Sequence, residues 1–314
     1  MLSAETTRTS ECTIRYRNGT NGDCRIRTLG DRMQIYRKLG AMRMLSERQY
    51  GNIQLCIVKD KEAAADHFAR TMVRAIQANN QLNMPTRLMM PVGPTGQYRL
   101  FVEKCSELQL DLSHLHVFNM DEYVGDDGHN LPESHPLSFI RFLRQHFYAP
   151  IVPECRLNLQ QMHIPNARDT AGYSGAIEDV GGIDICFGGI GINGHIAFNE
   201  ALDYWELMSN EAFKQLPARV IRIAATTKVI NAVFGTGGNL QAVPNFAVTV
   251  GMRDILSSRK IIFYLDWFWQ KQVLRNVLFG PITPMFPASF LREHPDVTLV
   301  VTESVAEDPS VEPE

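Results

Sequence analysis

From about residue 52 onward the chain alternates two hydrophobic periods, and this alternation limits the fold more than any other feature. Short apolar runs of strand type occur at 53–58, 88–90, 115–120, 183–187, 220–223, 247–250, 261–265 and 297–301. Between them lie segments with apolar residues at helical spacing, as at 62–78, where Ala65, Phe68, Ala69, Met72, Val73 and Ile76 fall on one face. Further helices are expected at 98–108, 137–147 and 270–278. Strands that alternate with helices predict an α/β fold with a parallel sheet covered on both faces. In such sheets the ligand sits beyond the carboxyl ends of the strands, so the loops just after strands are where chemistry is expected.

Composition sets the outer limits. With 45% hydrophobic and 21% charged residues in 314 positions, the chain has enough apolar side chains for a sizeable core. No run reaches 18 apolar residues, which argues against a membrane span, and a net charge of −3 argues against a nucleic-acid surface over the whole chain. The average hides an asymmetry: residues 1–50 hold ten basic and five acidic side chains, a local balance of +5, and the remainder carries −8. The last twelve residues contain five acids and two prolines, the pattern of a solvated tail. The expected division is a basic N-terminal extension over 1–51 that packs on the body or on a neighbouring subunit, one α/β domain over 52–302, and an acidic disordered tail over 303–314. Six cysteines without C-x-x-C spacing suit a reducing cytoplasm. His114 and His116 form an H-x-H pair without a third ligand nearby, so no metal site is expected.

Three loops can carry chemistry. The segment 118–125, FNMDEYVG, leaves the third strand with two adjacent carboxylates, Asp121 and Glu122; one of them, desolvated, would serve as a general base, and the alternative is that Asp121 caps a turn. The segment 188–200, GGIGINGHIAFNE, follows a buried strand and brings Asn193, Gly194, His195 and Glu200 within eight positions, a histidine with an amide and a carboxylate for proton transfer. Its G-x-G-x-x-G match alone is weak support for a dinucleotide site. The turn 90–97, MPVGPTGQ, places backbone N–H groups of Gly93 and Thr95 at a helix start where an anion can bind, although its two prolines remove donors.

The segments FNMDEYVG and GGIG-x-NGHIAFNE resemble the two signature loops of the glucosamine-6-phosphate deaminase/isomerase family. The segments VP-x-FA-VTVG at 243–251 and SFLREHP at 289–295 add to the likeness, which spans roughly 52–302. The resemblance implies a Rossmann-like three-layer α/β/α sandwich with a mostly parallel sheet. It also implies aldose–ketose isomerisation of a hexosamine 6-phosphate with release of ammonia, without metal or organic cofactor. The implied partners are a small sugar phosphate and further copies of the chain, with neither nucleic acid nor membrane. By the same resemblance, Asp121 matches the base that moves a proton between sugar C2 and C1. His195 matches the group that opens the pyranose ring at its oxygen, and Glu200 its carboxylate partner. Glu122, Gly93, Thr95, Gly194 and Lys271 fall at substrate-binding positions.

The sequence departs from the family pattern where phosphate and histidine are held. Asn193 stands where the family has an aspartate beside the histidine, Pro94 interrupts the Thr-Gly-Gly-Thr turn, and Val233 falls at a phosphate-binding arginine. An insertion at 266–269 brings Trp267, Phe268 and Trp269 next to Lys271; these rings would either stack on a sugar or pack in the core. Arg222, Lys228 and Arg253 are the cations available to replace the lost phosphate contacts. Two other readings stay open: a sugar-binding or regulatory homologue with impaired catalysis, and a 6-phosphogluconolactonase-type hydrolase of the same superfamily.

Overall fold

The computed structural model describes residues 45–203, 206 and 208–309. Most of the basic extension, with Cys12 and Cys24, therefore lies outside the described residues. The chain opens with β1 (Arg48–Tyr50), β2 (Ile53–Val58), α1 (Lys61–Gln81), β3 (Thr86–Met90), α2 (Gly96–Leu108) and β4 (Leu115–Asn119). It continues through β5 (Asp121–Val124), α3 (Phe139–Leu143) with a π-helical turn at Arg144–Tyr148, β6 (Met162–His163), α4 (Thr170–Asp179) and β7 (Ile185–Gly188). The last part contains α5 (Asn210–Lys214), β8 (Arg219–Arg222), α6 (Ala225–Gly235), β9 (Phe246–Thr249) and α7 (Met252–Leu256). It closes with β10 (Lys260–Leu265), α8 (Gln270–Phe279), β11 (Val297–Thr302) and α9 (Glu303–Ala306).

Eight strands form one sheet in the order β1-β2-β11-β10-β7-β3-β4-β6. Every neighbouring pair runs parallel except β1 with β2. Helices cover both faces, so the strands carry apolar residues on both sides. On β7, Cys186 enters one core with Phe263, Leu274 and Phe290, and Phe187 enters the other with Phe68, Phe101 and Tyr264. The helices form for local reasons as well. Asp60 caps α1 by accepting from the Ala63 N–H at 2.9 Å, and Phe68, Met72 and Ile76 repeat at helical spacing toward the sheet. Each of those buried side chains stabilises the fold by about 1.5–3 kcal/mol. No described helix is long and apolar enough to cross a membrane.

Two expectations are corrected. The segment after β4 is not a loop: residues 121–124 are β5, paired antiparallel with β9, which pairs in turn with β8. The chain turns out of the main sheet at Met120, whose N–H donates to Met90 O at 3.0 Å and whose carbonyl accepts from the Val250 N–H at 2.7 Å. A small core of Tyr123, Phe198, Ala232 and Ala247 packs against this second sheet. The body also extends beyond 52–302. Val305 and Ala306 of α9 are fully buried, and Ala306 O accepts from the N–H of buried Leu45 at 3.0 Å. Acidic composition hid those two apolar residues, and a short β1 escaped the periodicity.

Candidate active site

β3 and β7 lie side by side in the main sheet, and the chain winds outward from them in opposite directions, so their carboxyl ends form a switch point. A cavity of about 470 Å³ opens there, with the 91–95 turn, the 189–198 loop, β5, α6 and the Trp267 segment around it. Its size is that of a small-molecule site.

Asp121 and Tyr123 of β5 line this cavity. Side chains alternate across a strand, so Glu122 points the other way. It is fully buried and accepts from the N–H groups of Tyr123, Phe139 and Ile140 and from the Ser138 hydroxyl, at 2.8–3.0 Å. It ties α3 to the small sheet and has no face in the cavity; that corrects its expected contact with substrate. Asp121 is 9% exposed and accepts no hydrogen bond from any described side chain. Burial, with the Glu122 charge behind it, pushes its carboxyl up to about 8. Such a carboxylate is a far stronger base than an exposed one.

His195 lines the same cavity, and its orientation is set by neighbours. Asn193 donates through Nδ2 to Glu200 Oε2 at 2.9 Å, which leaves Asn193 Oδ1 to face His195 Nδ1 at 2.7 Å and the His195 N–H at 3.1 Å. That assignment puts the proton on Nδ1 and the free lone pair on Nε2. Glu200 Oε2 lies 3.5 Å from Nδ1 and also accepts from Thr227 Oγ1 at 2.9 Å, and Glu200 Oε1 accepts from the Ala224 N–H at 3.2 Å. Burial lowers the imidazole pKa and Glu200 partly opposes the shift. The loop is shaped around the ring: a Cβ on Gly191 would lie 2.2 Å from Nε2, and Gly194 takes φ +83° beneath the Phe286 ring.

The turn beyond β3 contributes Gly93, Pro94 and Thr95 to the lining, and the Thr95 side chain makes no capping bond to α2. Opposite in sequence, Trp267 lines the cavity and packs on Phe234 with ring centroids 4.4 Å apart, while Phe268 is exposed. Lys61 Nζ sits over the Trp267 ring. Trp269 both lines the cavity and packs on the core. Gln270 ties this segment to the glycine loop: Nε2 donates to Ile190 O at 2.9 Å and Oε1 accepts from the Trp267 N–H at 2.9 Å. Lys271 is elsewhere, donating to Glu307 at 2.8 Å outside the cavity, which corrects its expected role. Gln270 opens α8 directly after Trp269, its hydrogen-bond partner Ile190 lies 80 positions away, and no local motif marks it. Thr227, Asn231 and Asp266 were likewise invisible to spacing arguments. Among the described residues, no group of three or more His, Cys, Asp or Glu could hold a metal ion.

The doubly wound α/β domain thus brings a buried carboxylate and an oriented imidazole, two groups suited to proton transfer, to one cavity. A solved 6-phosphogluconolactonase from Trypanosoma cruzi shares this fold with a TM-score of 0.61 at 18% identity, over 85% of this chain and 99% of its own. A solved monomeric glucosamine-6-phosphate deaminase gives a TM-score of 0.69 at 26% identity, over 81% of this chain and 98% of its own. A glucosamine-6-phosphate deaminase from Rhodopirellula baltica is 31% identical over 263 residues, which is 81% of this chain and 95% of the relative. No family model matches the chain. The chain belongs to the glucosamine-6-phosphate deaminase family.

Proposed function

We propose that the protein is an amino-sugar isomerase/deaminase that converts a hexosamine to a ketose and ammonia. The observation that carries this reading is the shared cavity of Asp121 and His195, the first a buried base, the second an imidazole with Nδ1 held and Nε2 free. His195 moves a proton from the anomeric hydroxyl to the ring oxygen, which opens the ring. Asp121 takes the C2 proton, leaving an enolamine across C1 and C2, and returns a proton to C1. Water then adds to the C2 imine, and ammonia leaves as the C2 carbonyl forms. A carbon acid needs a positioned base of raised pKa, which Asp121 supplies, and ring opening needs a group that both takes and gives a proton, which the oriented His195 imidazole supplies. Gly93 and Thr95 contact the substrate, and Asn193, Glu200 and Gly194 hold the imidazole loop in place.

The chain spans 95% of the Rhodopirellula relative, and the activity in that relative's name, on glucosamine 6-phosphate, supports the hexosamine class. The hydrolase alternative is supported by fold likeness alone. The test is ammonia release together with exchange of the C2 hydrogen in deuterated water, over a panel of phosphorylated and free amino sugars. Native protein is expected to show both with at least one sugar, and Asp121→Asn neither. Native turnover indistinguishable from that of Asp121→Asn overturns the reading.

A further inference from the structure

Among the described residues, the cavity is lined by acidic side chains and one histidine, with no permanent cation. Its lining holds the carboxylates Asp121 and Asp266 and, among the described residues, no lysine and no arginine. A phosphate ester in a partly dry site needs charge-assisted donors, ordinarily an arginine fork or a lysine. The cations that sequence offers as replacements are committed elsewhere or stand apart. Lys271 pairs with Glu307 at 2.8 Å, Lys228 donates to Asn245 at 2.7 Å, and Arg253 pairs with Asp254 at 3.2 Å. Arg222 lies on β8 outside the lining, and so does Val233, which is 58% exposed on α6. Pro94 has no N–H to give to an anion; its neighbours in the lining, Val92, Gly93 and Thr95, offer neutral donors and no cation.

The wall of the cavity beside Asp266 is aromatic. Trp267 and Phe234 form a paired wall, and the Lys61 ammonium lies on the Trp267 ring, where Asp266 also feels its charge. Lys61 is itself outside the lining. Aromatic faces favour the C–H surface of a sugar and its uncharged hydroxymethyl end, and Asp266 accepts hydroxyl protons but repels an anion. The wall is also held in register with the chemistry, since Gln270 links the Trp267 N–H to the Ile190 carbonyl of the glycine loop.

We propose that the site takes a hexosamine with an uncharged distal end, a free 2-amino-2-deoxyhexose, with that end against Trp267 and Phe234, in preference to the 6-phosphate ester. This inference rests on the amino-sugar reading above and narrows its substrate.

Two measurements on the full chain test it. The first is kcat/KM for ammonia release from glucosamine and from glucosamine 6-phosphate. The second is calorimetric binding of the open-chain analogues 2-amino-2-deoxyglucitol and its 6-phosphate, which needs no turnover. The free forms are expected to be favoured at least tenfold. Trp267→Ala is expected to raise KM and Kd for the free forms about tenfold, with the melting temperature checked to show that the variant folds. Asp266→Asn is expected to narrow the preference by weakening the repulsion. Preference for the 6-phosphate in either measurement overturns the inference while leaving the amino-sugar reading intact. So does a loss of 6-phosphate binding in Lys61→Ala that leaves the free analogue unaffected. Binding of the free analogue without any ammonia release supports the inference and overturns the catalytic reading. Failure of both analogues to bind at millimolar concentration overturns the inference.

Discussion

Asp121 works against the fold that holds it. Its pKa of about 8 in the folded protein, against an ordinary value of 3.8, means that the folded form keeps a proton which the unfolded chain releases above pH 4. Between about pH 4 and pH 8 the folded state therefore binds more protons, and this residue's contribution to stability falls as pH rises through that window. Asp121→Asn removes the penalty. The variant is expected to melt several degrees above the native protein at pH 8 and little differently at pH 4, a gain of up to a few kcal/mol, while losing turnover. Differential scanning calorimetry at the two pH values checks it; loss of stability at pH 8 would mark Asp121 as structural. The neighbouring cluster gives a second prediction. Aspartate at position 193 would set a second carboxylate against Glu200 Oε2, now 2.9 Å from the Asn193 amide. The added charge is expected to raise the His195 pKa, read by NMR titration of the imidazole. Alanine at 193 removes the Asn193 Oδ1 bonds to His195 Nδ1 and to the His195 N–H, leaving only Thr227 Oγ1 at 3.2 Å and Glu200 beside Nδ1, and is expected to lower kcat about 10²–10⁴-fold. These roles were partly legible in sequence because Asn193, His195 and Glu200 lie on one short loop. Thr227, Gln270 and Asp266 were not, because they reach the site only through strand order. Adjacent carboxylates misled for a related reason: nothing in the letters Asp-Glu tells which one a strand turns inward.

At the scale of elements, the glycine loop after β7 works by what it omits. A Cβ at Gly191 would lie 2.0 Å from His195 Cε1, so the imidazole can stay only if that position has no side chain. Gly191→Ala is expected to displace the ring and lower kcat at least about 10²-fold, with KM changed less. Gly175, within α4 and with nothing within 4 Å of its would-be Cβ, is the control: alanine there is expected to stabilise by about 0.5–1 kcal/mol and leave kinetics unchanged. Steady-state kinetics and thermal melts on the two variants separate a steric role from general sensitivity of glycines. In the main sheet β2, β3, β4, β7, β10 and β11 were legible because burial on both faces leaves unbroken apolar runs, as in Cys186 and Phe187, whereas the short edge strands β1 and β6 were not. β5 was not, because its four residues are all buried and two are carboxylates, a composition that propensity assigns to loops. The same tertiary demand that hid the strand created the base: only a sheet-bound, desolvated Asp121 has its raised pKa.

The whole molecule is closed by its two described ends. Leu45 and α9 meet at Ala306 O, which also accepts from the buried Arg275 guanidinium at 3.2 Å. β1 continues the closure: Tyr50 packs edge-on against Phe279 at 5.7 Å between centroids, and Glu47 accepts from the Ile57 N–H at 2.9 Å. A domain cut at 52, where the helix–strand alternation begins, would remove the Leu45, Glu47 and Tyr50 contacts and leave only the one from Arg275. A chain beginning at residue 45 keeps them. The second is therefore expected to be more stable than the first by a few kcal/mol, since the shorter one loses a buried leucine and a strand pairing. The full-length protein adds a separate comparison, because the +5 balance of residues 1–50 faces a remainder of −8. Attraction between the two predicts that the chain beginning at 45 differs from the full-length protein in melting temperature or in mass by light scattering, and that the difference shrinks as salt rises from 0.05 to about 0.5 M, where the screening length falls below 10 Å. Equal mass and equal melting temperature at low salt would show that the extension neither docks on the body nor joins subunits.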